Sequence, residues 1–87
     1  MPILFIPSLL RELTQGKLSV AVTGSTVREA IENLEAQFPG IKERLCEDGK
    51  IRPNISVLVD GQITALKMRE KLTDHSEVNF VIAISGG

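Results

Sequence analysis

Residues 23–40 read TGSTVREAIENLEAQFPG. Val27, Ala30, Ile31, Leu34 and Phe38 recur at helical spacing, so one stripe of an amphipathic helix is apolar. Thr26 can cap its first turn, and Glu29, three residues on, completes a capping box. Pro39-Gly40 stops the chain after about three turns. Arg28, Glu29, Glu32 and Glu35 fall off the stripe and read as the wet face.

Strand patterns flank this helix on both sides. Upstream, PILFIP (2–7) is short, apolar and bounded by prolines, which favours a strand. SLLRELTQGK (8–17) reads as a polar connection, and KLSVAV (17–22) as a second strand with Leu18, Val20 and Val22 on one face. A hairpin joins the two economically. Downstream, IKERLCEDGKIRP (41–53) predicts a helical turn, then a loop with a turn at Asp48-Gly49. NISVLVDGQIT (54–64) alternates through Ile55, Val57 and Val59 and turns at Asp60-Gly61. LKMREKLTDHSE (66–77) reads as polar and irregular. EVNFVIAI (77–84) is the last strand, with Val78, Phe80, Ile82 and Ile84 on one face. The prediction is α+β: a mixed sheet of four to five strands with one main helix across it.

At 87 residues and 43% apolar, the chain fills one domain and one modest core. Its net charge is −1, without a run of like charges, which speaks against a nucleic-acid tail or a membrane-surface helix. Three Phe, with neither Trp nor Tyr, leave few platforms for stacking bases. No signal-peptide pattern opens the chain and no 18-residue apolar run occurs, so the expectation is a complete, cytoplasmic protein that binds neither nucleic acid nor membrane.

The usual catalytic constellations are missing. His75 lies in a polar segment beside Asp74, the context of a solvated loop histidine. Cys46 sits in RLCED, where acids raise a thiol's pKa; it reads as a structural thiol. One cysteine makes no internal disulfide, structural zinc site or iron–sulfur cluster, and neither phosphate-loop nor dinucleotide glycine motif is present.

What remains is the end, Ile84-Ser85-Gly86-Gly87. A frayed terminus is the plain explanation of two final glycines. The functional one starts from the missing Cβ: a Gly-Gly end passes through a channel too narrow for side chains and leaves its carboxylate open to attack. Extended, these four residues reach about 13 Å.

The order of elements, the helix STVREAIENLEAQFPGIKERL, the segment Val57-Leu58-Val59-Asp60-Gly61 and the terminal Gly86-Gly87 together resemble the ThiS/MoaD sulfur-carrier family, over essentially the whole chain. The resemblance implies a ubiquitin-like β-grasp, residues 1–87 as a single domain with a flexible tail at 84–87. It implies that the Gly87 carboxylate is adenylated by a ubiquitin-activating-like enzyme at the expense of ATP and becomes a thiocarboxylate that donates sulfur in biosynthesis. Gly86, Ser85 and Ile84 would thread the partner's active site. The carrier would bind no cofactor and act as a co-substrate of an adenylating enzyme and a sulfur-accepting enzyme. The long segment 40–64 favours the cysteine-biosynthesis type, with a cysteine synthase-like acceptor. The molybdopterin synthase small subunit comes next and the thiamin carrier, serving thiazole synthase, third. Ile82 stands where many relatives of the first two types carry proline. A ubiquitin-like protein modifier, or an interaction module without sulfur chemistry, is the alternative.

Side-chain alternation adds a docking surface. If Leu4 and Ile6 face the helix, Phe5, Leu58 and Val81 share the opposite sheet face as an apolar patch. In the family that face meets the activating enzyme.

Overall fold

The computed structural model describes residues 1–83; Ile84, Ser85, Gly86 and Gly87, and with them the expected tail, lie outside the described residues. The chain runs β1 (Ile3–Phe5), a 3-10 helix (Ser8–Thr14), β2 (Ser19–Ala21), α1 (Val27–Gln37), α2 (Ile41–Leu45), β3 (Cys46–Glu47), β4 (Lys50–Ile51), β5 (Ile55–Val59), β6 (Gln62–Ile63), a 3-10 turn (Lys67–Arg69) and β7 (Glu77–Ile82). Among the described residues no helix is long and apolar enough to cross a membrane.

Five strands form one mixed sheet in the order β2-β1-β7-β5-β6. β1 pairs antiparallel with β2, as expected of the first two strands, and parallel with β7; β7 in turn pairs antiparallel with β5. The first and last strands of the chain therefore lie side by side, and β7 is the central strand. α1 covers one face. This is the mixed-sheet α+β arrangement the sequence predicts, and the β-grasp that the family resemblance implies.

α1 forms as its sequence dictates. Val27, Ala30, Ile31 and Leu34 are all essentially inaccessible and share one buried core with Leu4, Val22, Val57 and Val78. The Thr26 hydroxyl accepts the Glu29 N–H at 3.2 Å, while the Glu29 carboxylate reaches one residue further back than a standard capping box, to the Ser25 N–H and hydroxyl, each at 2.9 Å. Gly24 is required by close approach: a Cβ there would stand 2.8 Å from the Ala30 backbone nitrogen. Glu35 departs from the wet-face reading. Its carboxylate accepts the N–H groups of Gly40 and Lys42, the latter at 2.8 Å, and so ties the end of α1 to the start of α2.

Four other expectations need correction. Most of the polar connection 8–17 is the 3-10 helix Ser8–Thr14, which buries Leu10 and Thr14. Its Leu10 supplies apolar surface, and the Thr14 hydroxyl is satisfied by the carbonyls of Arg11 and Lys17. Segment 66–77 is also anchored, because Met68 and Leu72 enter the core. The loop after Leu45 closes as a small antiparallel hairpin, β3–β4, around Asp48-Gly49, both with positive φ as a tight primed turn demands. Leu18, assigned to the inner face, is 62% exposed, since it precedes β2 at the sheet's outer edge. Cys46 is buried, as its reading as a structural thiol requires, and burial pushes the thiol's pKa up. His75 lies exposed in the turn before β7.

Candidate functional site

The site is built on the sheet face that α1 leaves open. Leu4 and Ile6 are buried on the helix side, which turns Ile3 and Phe5 to the other. Strand register then sets the neighbours. Phe5 lies opposite Asn79 of β7, Asn79 opposite Leu58 of β5, and Leu58 opposite Ile63 of β6. A single row thus crosses four strands as Phe5, Asn79, Leu58, Ile63. Val81 stands two residues further along β7, opposite Ser56.

The three residues predicted for the patch do share this face. Phe5 and Leu58 are half-buried, and Val81 is 52% exposed. They are not mutual neighbours: Asn79 separates Phe5 from Leu58, placing them about 10 Å apart at normal strand spacing. Asn79 is half-buried, and its side chain makes no hydrogen bond among the described residues, so a polar handle sits within an apolar row. Sequence reasoning missed Ile63, the most exposed large apolar side chain among the described residues, at 73%. The signal was present. A two-residue turn at Asp60-Gly61 pairs Val59 with Gln62, and hence Leu58 with Ile63.

Val81 also marks the way to the C-terminus. β7 ends at Ile82, and the next residue is clamped: the Ala83 N–H donates to the Asn54 carbonyl at 2.8 Å, while Asn54 Nδ2 donates back to the Ala83 carbonyl at 3.4 Å. Whatever follows Ala83 therefore leaves from a fixed point beside Val81. Gly87, Gly86, Ser85 and Ile84 lie past that point, outside the described residues.

Residues 4–87 match the sequence model of the ThiS family. The chain belongs to the ThiS family. The resemblance read from its residues is thereby established at family level, and relatives sharpen it. The sulfur carrier protein CysO of Mycobacterium tuberculosis is 31% identical over 87 residues, covering 94% of each chain. Small archaeal modifier protein 3 of Haloferax volcanii is 34% identical over 65 residues, covering 72% of this chain and 71% of its own. Among solved structures, a chain of the Amycolatopsis orientalis BexX/CysO complex superposes with a TM-score of 0.93 at 30% identity, over the full length of both chains.

Proposed function

We propose that this protein is a sulfur carrier whose Gly87 carboxylate is the working group. In the first step a carboxylate oxygen attacks the α-phosphorus of ATP in a ubiquitin-activating-like enzyme, and pyrophosphate leaves. A carboxylate is a poor electrophile; the acyl-adenylate carries a good leaving group. Hydrosulfide then attacks the acyl carbon, forming the C–S bond as the bond to AMP breaks, and the resulting thiocarboxylate attacks an activated biosynthetic intermediate in an acceptor enzyme. The carrier is a co-substrate and supplies neither acid nor base; ATP is used by its partner. Phe5, Leu58 and Val81, joined by Ile63, dock the activating enzyme, while Ile84, Ser85, Gly86 and Gly87 thread its active site. ATP dependence puts the cycle in the cytoplasm.

The observation that carries this reading is the similarity to CysO along 94% of both chains. It favours the cysteine route, with a cysteine synthase-like acceptor, over a molybdopterin or thiamin one. The complex in which the Amycolatopsis protein was solved supports a partner-enzyme role by analogy. A second reading, a ubiquitin-like protein modifier, draws on the likeness to the archaeal modifier.

Intact-mass analysis separates the two. Incubated with ATP, a sulfur source and the cognate activating enzyme, the chain should exchange one terminal oxygen for sulfur. Attachment of the whole chain to lysines of other proteins would favour the modifier reading. A chain extended by one alanine after Gly87 should form no thiocarboxylate; if it does so untrimmed, the mechanism fails.

A further inference from the structure

A second surface lies away from the open sheet face. Arg28 of α1, Lys50 and Ile51 of β4, and Ala65, Leu66, Lys67, Met68 and Arg69 around the second 3-10 turn enclose a concavity of about 290 Å³. None of these elements belongs to the face carrying Phe5, Leu58 and Val81. Its four polar side chains are all cationic and exposed, and none makes an ion pair or side-chain hydrogen bond among the described residues.

That concentration is uneven. Of the protein's ten Lys and Arg residues, Lys42 and Arg52 form ion pairs, Arg11 donates to a carbonyl and Lys17 stands over the Phe38 ring. Among the described residues, only Arg44 and Lys71 join the concavity's four as cations without an ion pair, side-chain hydrogen bond or aromatic partner. On a chain of net charge −1, these four are gathered without an acidic side chain in the lining. Between them the surface is apolar: Ile51 and Met68 are 5% exposed and form a floor, while Leu66, at 49%, and Ala65 stand open. An apolar centre inside a charged rim has the anatomy of a protein interface. A small free oxyanion fits less well, because exposed, screened cations hold it weakly and no buried polar group is aimed inward. Lys67 adds a local cost. Its φ of 50° lies in the left-handed region, which a side-chain-bearing residue enters at some expense.

We propose that this concavity docks an acidic segment of a partner protein, its carboxylates meeting Arg28, Lys50, Lys67 and Arg69 while an apolar side chain seats against Leu66 and Met68. The inference does not depend on the chemistry of Gly87. A partner held here leaves the open sheet face free for another.

The test uses the full chain, labelled for NMR, and three probes: a twelve-residue peptide alternating glutamate and leucine, an all-glutamate peptide of equal length, and inorganic phosphate. The leucine-containing peptide should shift the amides of residues 49–51 and 65–69, and bind about tenfold tighter than the all-glutamate one, as one partly buried leucine would give. Raising salt from about 0.05 M to about 0.5 M should weaken it about tenfold. Lys67→Gly, which removes a charge and relieves the strained φ, should melt no lower than the parent yet bind at least about threefold more weakly. Equal affinity for the two peptides would reduce the surface to unspecific charge and overturn the proposal. So would unchanged binding by Lys67→Gly, shifts confined to other residues, or phosphate displacing the peptide at equal charge concentration.

Discussion

Val81 and Leu58 show how much one residue's position on a strand decides. Both are apolar and both face away from α1, but Val81 is 52% exposed whereas Leu58 is half-buried. Val81→Asp should therefore change stability by no more than about 0.5 kcal/mol, while lowering affinity for the proposed activating enzyme at least about tenfold; urea unfolding beside a binding titration checks both halves. Gly24 carries the opposite expectation. A methyl group there meets the Ala30 backbone, which cannot step aside as a side-chain tip would. Gly24→Ala should cost about 1–3 kcal/mol, read as a lower urea midpoint at unchanged slope. The inward and outward assignments of Leu4, Phe5, Val57 and Val78 were legible because the strand period is two. Ile63 was legible only through the geometry of its turn. Leu18 was misassigned because alternation says which way a side chain points, and not whether anything lies over it.

Elements differ in how far their residues announce them. α1 could be read nearly to its ends, since its stripe, its Thr26 cap and its Pro39-Gly40 stop agree. Leu34, wholly buried beneath it, should on replacement by alanine lose about 2–5 kcal/mol, a large part of the stability of so small a domain. The two 3-10 segments were hidden because each anchors through one or two side chains, Leu10 or Met68, amid polar neighbours. The junction of α1 and α2 was hidden for another reason: Glu35 looks like any surface acid until the backbone turns its amides toward it. The N–H groups of Lys42 and then Gly40 hold the Glu35 carboxyl below its ordinary value of 4.5. An acid depressed in the folded state stabilises fully above its unfolded pKa, and that contribution disappears as pH falls through the lower folded value. Glu35→Gln should thus flatten the fall of stability from about pH 5 to about pH 3, followed by urea midpoints across that range.

Across the whole molecule, the decisive contact is between the ends of the chain. β1 is the parallel neighbour of β7, and β2 is held to the sheet through β1. Removing residues 1–6 should abolish cooperative unfolding altogether, seen as loss of a sigmoidal melt, because β7 would be left as an open edge. The fold was legible because helix and strands came in an order that few architectures accommodate. The candidate site was legible in part: its face followed from alternation, its neighbours only from register, and its last four residues lie outside the described structure. The placement of β7 between β1 and β5 has a mechanical side. A partner tugging on whatever follows Ala83 loads the middle of the sheet, where two rows of hydrogen bonds share the force in shear. An edge strand would peel one bond at a time, whereas here both rows must rupture together. The handle proposed for this protein is thus rooted where the body resists being unravelled.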